Sequence, residues 1–493
     1  MGLLALAIRL ALLPVRPIPE PTVQDEFAYI LGAETFCMGR ITNPPHPMWI
    51  HLEPLQENAQ PTFQSKYPPA QSLFLALGWK LFGHPWYGVW LSCGLMCAAL
   101  CWMLQGWLPP RYALLGGLMA VAHWGIAGYW VNSYWGGAVA AMGGALVVGA
   151  VPRLARRPTA GAEALAALGI MVLANSRPYE GAATVAAAAG ALLVWRRRSH
   201  RPFGELLAWR TAAPAMAILG CGLAALLYYD YRLTGNALLM PYALNQRTYG
   251  VAPVFWMMAL GPAPAYHHDV IRRFWTEYEV SLYQRARSWP PGLALIFART
   301  LWYYFLTTIT ALALALAVLF RRGRKVGMAL AIFGVAAGAL LLEKYPNAHY
   351  FAPATGLVLI LVLLGVQYAR VKAGAAALAA FIVVFFGTAA VHARFLTADE
   401  YPHRQFTAHR LSAIHRLERE SGKQLVIVRY APDHDIRDDW VFNHADIDGS
   451  QIVWARDMGA ARNRELIDYY KDRRVWLLEP DVADPAPVPY VAP

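Results

Sequence analysis

Two stretches of this chain leave little choice of fold. "LALIFARTLWYYFLTTITALALALAVLF", from Leu293, and "GAAALAAFIVVFFGTAAV", from Gly374, are long apolar runs. A helix needs about 20 such residues to cross a hydrocarbon core about 30 Å thick. Composition agrees, since 57% of residues are apolar and 15% charged, whereas soluble domains carry about 25% charge. The runs read as membrane-spanning helices and exclude the core of a soluble enzyme.

Charge orients them. The formal net charge is +12, yet the basic residues sit in short clusters between apolar runs: Arg153, Arg156 and Arg157; "RRRSHR" from Arg196; "RRGRK" from Arg321; Arg370 and Lys372. No basic patch is interleaved with stacking aromatics on a soluble domain, so nucleic acid is excluded and the lipid bilayer is the implied partner. Apolar runs read against basic loops predict about eleven transmembrane helices, near residues 1–15, 86–107, 111–131, 135–151, 162–176, 180–195, 209–229, 293–320, 326–342, 352–369 and 374–391. An odd number leaves the amino end inside and the carboxyl end outside. All four basic clusters then fall on the cytoplasmic side, as the positive-inside rule requires. High Ala and Arg content points to a bacterium, and so to its inner membrane. The first span is short, because Met1 to Pro14 covers about 21 Å, and it contains Arg9. Either Arg9 snorkels to the inner interface or the natural start lies upstream of Met1. A cleaved signal peptide is the alternative, but no small-residue cleavage site precedes "LPVRPIPEP".

Three external segments are long: about 16–85, 230–292 and 393–493. The last alternates helical stretches, "TAHRLSAIHRLERE" and "ARNRELIDYYK", with β-like runs, "LVIVRY", "QIVWA" and "RRVWLLEP". That alternation predicts a small extracytoplasmic α/β domain at 393–493 following a transmembrane domain at 1–392. Of the five cysteines, Cys93, Cys97 and Cys101 share one face of an apolar helix as packing residues. Cys37 is then alone in its external segment, and no disulfide framework is expected there.

The chemistry is sought in the external segments. Asp25 and Glu26 open the stretch "QDEFAYILGAETFCMG". A carboxylate beside low-dielectric protein serves as a general base when its pKa rises, or holds a cation when it stays ionised. The alternative is helix capping, since both residues precede a helix-like run. Later turns on the same side carry cations: "NSRPYEG" holds Arg177 and Glu180, and "EKYPNAHYFAP" holds Lys344, Tyr345, His349 and Tyr350. Arg and Lys at an interface suit phosphate, although an interfacial anchor is the alternative for each and the better reading of a lone Lys or Tyr. Carboxylates and cations on one face suit a reaction on a phosphorylated, membrane-resident substrate. Ion transport fits poorly, because the spans hold almost no mid-membrane carboxylates.

"QDEFAYILGAETFCMGRITNP", followed by "KYPPAQSLFLALGWKLFG", resembles the opening of the GT-C membrane glycosyltransferases, in the branch of protein O-mannosyltransferases and lipid A aminoarabinose transferases. The resemblance covers residues 1–110, continues in the span pattern to about 392 and is absent from the tail. It implies an inverting transfer of a sugar from a polyprenyl-phosphate donor to an acceptor, whether protein, lipid or glycan, on the side away from the cytoplasm. By position it makes Asp25 the catalytic base and Glu26 its neighbour. Lys66 and Tyr67 would lie near the donor phosphate, with Arg177, Lys344, Tyr345, His349 and Tyr350 around it. Some relatives carry a second acid on the next external turn, but here that turn reads "YWVNSYWGG". Asn132, Tyr134 and Trp135 there, with Glu180, are candidate sugar or acceptor contacts, and an aromatic belt is the other reading of the rings.

No cofactor is firmly implied. A divalent metal is possible at His46 and His51, or at His267, His268 and Asp269, but the spacing lacks a second ligand pair and "HHD" reads as a solvated loop. Two other readings stand beside the enzyme. A transporter or flippase for lipid-linked sugars would share the spans and phosphate-binding cations, and a non-catalytic assembly subunit would use the tail as a binding module.

Overall fold

The computed structural model describes residues 1–320, 323–395 and 404–491; Arg321 and Arg322 of one basic cluster, and residues 396–403 near the predicted domain boundary, lie outside the described residues. Helix α1 (Gly2–Ala11) leads to α2 (Gln24–Cys37), a short antiparallel pair β1 (Glu57–Asn58) and β2 (Gln64–Ser65), and α3 (Ala70–Phe82). The bundle continues with α4 (Trp86–Trp107), α5 (Pro110–Ala120), α6 (Gly137–Arg156), α7 (Ala160–Ala174), α8 (Pro178–Arg198) and α9 (Trp209–Thr234). The second external segment holds α10 (Pro241–Tyr249), α11 (Asp269–Arg273) and α12 (Glu279–Ser288). Then follow α13 (Pro290–Tyr304), α14 (Thr308–Phe320), α15 (Arg324–Leu340), α16 (Ala348–Phe351) and α17 (Thr355–Phe395). Helices α5, α8, α10 and α13 each have proline in the first turn, where the missing N–H costs nothing.

Among the described residues, Trp86–Trp107, Gly137–Arg156, Trp209–Thr234 and Ala348–Val391 are long and apolar enough to cross a membrane, and α14 with α15 makes a fifth if that bent pair is one span. The other predicted spans are shorter or interrupted. Residues 111–131 form α5 and a π-helical turn at Val121–Ile126, and α7 has 15 residues. The predicted spans at 352–369 and 374–391 lie within α17, which breaks at Gly374 (φ +76°), a conformation only glycine adopts readily. Helix α3 meets α4 so closely that a Cβ on Gly88 would lie 2.0 Å from the Phe74 carbonyl oxygen.

The basic clusters gather at one end of the bundle. Arg153 and Arg156 donate to the Trp102 and Gly106 carbonyls near the end of α4, at 2.7 and 3.2 Å. Arg324 donates to Ser199, just past α8, at 2.9 Å, and Lys325 to the Trp107 carbonyl. Helix α8 runs from Arg177 to this end over 21 residues, about 31 Å at 1.5 Å per residue. Arg9 turns the other way. It donates to the Arg16 carbonyl at 2.9 Å and to Asn132 at 3.2 Å, and lies over the Trp86 ring. Of the two readings of Arg9, snorkelling to the inner interface is therefore corrected: its acceptors lie at the opposite end, beyond the last residue of α1.

The tail folds as a mixed sheet. Strands β3 (Lys423–Val428), β4 (Ile452–Arg456), β5 (Arg473–Leu478) and β6 (Val488–Pro489) lie in the order β4-β3-β5-β6, parallel except for β6. Central β3 is nearly all buried, as its continuous run of β-branched and apolar residues requires. Helices α18 (Arg404–Glu418) and α19 (Ala460–Tyr469) contribute Ala413, Leu417 and Leu466 to the cores on the sheet's faces. These cores also receive residues from α2: Phe27 stacks on Phe442 at 4.3 Å, and Leu31 packs with Leu425 and Val453. A buried Arg456–Asp439 pair at 2.7 Å sits at the same junction, with Arg456 also donating to the Glu53 carbonyl.

Candidate active site

At the end of the bundle opposite the basic clusters lies a cavity of about 880 Å³. It is lined by Asp25, Lys66, Tyr67, Trp135, Lys344, Tyr345, His349 and Tyr350. Residues separated by more than three hundred positions thus meet in one space.

The two adjacent carboxylates separate here. Successive helical residues point about 100° apart, so α2 sends Asp25 into the cavity and Glu26 into protein. Asp25 is partly exposed and accepts a hydrogen bond from the Tyr67 hydroxyl on Oδ1. Burial pushes its carboxyl above the usual range, against the opposing pull of Lys66, the Tyr67 hydrogen bond and Arg177. Glu26 is 2% exposed. It accepts from the Thr22 amide (2.7 Å) and hydroxyl (3.0 Å), the Val23 amide (3.3 Å) and the Tyr134 amide (2.9 Å). It therefore caps α2 and ties it to the 129–136 turn.

Lys66 follows β2. Its ammonium lies between the rings of Tyr67 (5.2 Å), Tyr242 (4.8 Å) and Trp275 (5.4 Å). Burial pushes its pKa down to about 8, partly offset by Asp25 and Glu279. The rings satisfy it through their negative faces without neutralising it. Lys344 differs, because its ammonium is 2.7 Å from Glu279 Oε2 and donates to the Ala252 carbonyl at 3.0 Å. The Tyr345 hydroxyl donates to the same Glu279 oxygen. His349 Nδ1 pairs with the Tyr129 hydroxyl at 2.6 Å, and the imidazole edge meets Trp135 at 4.6 Å.

Arg177 sits just behind the lining, with its guanidinium 4.4 Å from the centre of the Tyr350 ring. Three other candidates stay outside the cavity. Asn132 holds Arg9, and Tyr134 is 1% exposed with its hydroxyl donating to the Pro19 carbonyl at 2.9 Å. Glu180 is buried near Arg177 and Glu343, whose carboxyl is pushed up to about 9 by burial and by Glu180. Sequence reasoning missed Tyr242, Glu279, Arg285, Arg299 and Arg437, which also line the cavity. Only the aromatic density around "FWTEYEV" hinted at any of them.

The candidate metal ligands disperse. His46 pairs with Asp448 at 3.0 Å, and His51 with the Arg462 carbonyl at 3.1 Å. His267 pairs with Glu53 at 3.1 Å, and His268 donates to the Ile50 carbonyl at 2.6 Å. "HHD" is solvated at His267 and Asp269, as expected, but His268 between them is 8% exposed and ties the second external segment to the first. Among the described residues no group of three or more His, Cys, Asp or Glu side chains is arranged to hold a metal ion.

No family model matches the sequence, and no curated protein matches it. Among solved structures, ArnT from Cupriavidus metallidurans without ligand is 14% identical, with a TM-score of 0.50. The same protein bound to undecaprenyl phosphate is 13% identical, with a TM-score of 0.51. Each alignment covers 97% of this chain and 92% of that one. At this identity the likeness is one of fold alone.

Proposed function

We propose that this chain, a protein of GT-C fold, is an integral membrane glycosyltransferase that moves a sugar from a polyprenyl-phosphate donor to an acceptor hydroxyl, with inversion, on the extracytoplasmic side. One observation carries the reading: a single cavity holds Asp25, with a carboxylate edge free among the described residues, together with the Lys66 ammonium, which among them has no direct ion-pair partner. The gathering of the basic clusters at the far end of the bundle supports the orientation.

The chemistry follows from these groups. The acceptor oxygen attacks the anomeric carbon from the face opposite the phosphate. Asp25 takes the hydroxyl proton on its free oxygen, which its raised pKa favours. The bond from the anomeric carbon to the phosphate oxygen breaks, and its electron pair leaves with the lipid phosphate. Lys66 and Arg177 stabilise the charge gained there, so no general acid is required. Tyr67 fixes the carboxylate that acts as base, and Glu26 fixes the helix that carries it.

The test incubates purified protein with a panel of polyprenyl-phosphate sugars and follows release of the lipid phosphate. Donor consumption by the wild type and its loss in Asp25→Asn support the reading. If no donor is consumed, or Asp25→Asn consumes it at the wild-type rate, the reading is wrong; the first result is what a flippase or an assembly subunit would give, and the second would move the base to another residue.

A further inference from the structure

The external turn at 129–136 carries no acid, but the cavity holds a second carboxylate from another part of the chain. Glu279 follows directly on a π-helical turn at Phe274–Tyr278, an irregularity that turns a side chain off the regular helical path and frequently marks a functional site. It is 4% exposed. Both its contacts, from the Lys344 ammonium at 2.7 Å and from the Tyr345 hydroxyl, fall on Oε2. Among the described residues Oε1 has no hydrogen-bond partner, and Glu279 lines the cavity that holds Asp25.

Three arguments fix what such an oxygen accepts. A buried carboxylate repels phosphate, so the lipid phosphate belongs on the side of Lys66 and Arg177. An ammonium and a phenol on Oε2 fix the carboxylate in place and leave Oε1 as the oxygen available to a substrate. A fixed carboxylate oxygen is a strong acceptor for a hydroxyl, with a charge-assisted bond that an amide oxygen does not match. We propose that Glu279 Oε1 accepts a hydrogen bond from a hydroxyl of the sugar being transferred, so that Glu279 is the residue by which the site distinguishes a sugar-bearing donor from the bare lipid phosphate. This rests on the glycosyltransferase reading above.

The full chain in lipid nanodiscs provides the test, with undecaprenyl phosphate and undecaprenyl phosphate bearing a neutral hexose (glucose, mannose or galactose) as probes. The quantity read is the ratio of the two affinities. Glu279→Gln lowers the preference for the best sugar-bearing probe roughly tenfold or more while bare-lipid binding persists, which also reports that the variant is folded. A Glu279→Gln/Lys344→Met double variant removes the buried pair together and avoids stranding an ammonium; it loses the same preference. An unchanged ratio in both variants overturns the role of Glu279 and leaves the transferase reading intact. A wild type that binds neither lipid overturns that reading and this inference with it.

Discussion

The cavity has two unlike walls. The wall built by the first external segment carries Asp25 and Lys66, whose charges are close enough to influence one another but do not form an ion pair. The wall built by the second external segment and the 343–350 turn carries Glu279 and Lys344, joined at 2.7 Å, with Tyr345 on the same oxygen. Both lysines are buried, at 5% and 3% exposure, yet only one is neutralised by a direct partner. Burying a charge raises its readiness to react, and pairing it spends that readiness on structure. In the proposed mechanism the first wall is therefore where bonds would be made and broken, and the second a braced surface against which a substrate would rest.

The largest effect that would break this division is in Asp25→Asn. Turnover should fall about 100- to 10,000-fold with donor binding retained, as checked by single-turnover release of lipid phosphate beside a binding assay. The two lysines should then part ways. Lys66→Met lowers turnover on the order of 100-fold or more in a stably folded protein. Lys344→Met strands Glu279 and costs about 3–5 kcal/mol of stability, read as a lower melting temperature; equal kinetic and thermal effects in both variants would dissolve the contrast between the walls. Glu26→Gln, which keeps one acceptor oxygen out of two, should cost about 1–3 kcal/mol and change turnover per folded molecule only a few-fold.

The smallest effect is in pH. The dependence of kcat/KM should have an alkaline limb near pH 8, where Lys66 loses its proton, and an acid limb where Asp25 gains one. Lys66→Arg removes the limb near pH 8, because a guanidinium stays charged. Tyr67→Phe moves the acid limb upward, since the hydrogen bond it removes holds the Asp25 pKa down.

The apolar runs and the β-branched strands of the tail were legible in the sequence because their periods are local. "LVIVRY" and "QIVWA" overlap β3 and β4. The convergence of Asp25 with Lys66, Tyr67 and the 343–350 turn was legible through resemblance, as motifs on one face. The division of labour within Asp25–Glu26 was not, because it depends on which way α2 is rolled against the 129–136 turn and the tail. Glu279 was hidden because no motif marks "FWTEYEV", and its meaning arises only when Lys344 arrives beside it. Arg177 reads from sequence as a phosphate clamp, and the fold adds that its guanidinium rests on Tyr350 behind the lining.

The packing of α2 against the tail sheet also sets an order of assembly. Gln24 donates to the carbonyl of Ile436, 412 residues later, and Phe27 has its stacking partner at Phe442. A ribosome finishes α2 long before it makes the strands that cover it, so the apolar back of the helix bearing Asp25 must wait while some 412 residues are made. A nascent chain has most of its bundle before it has the packing that fixes α2, so a stretch made late completes one made early.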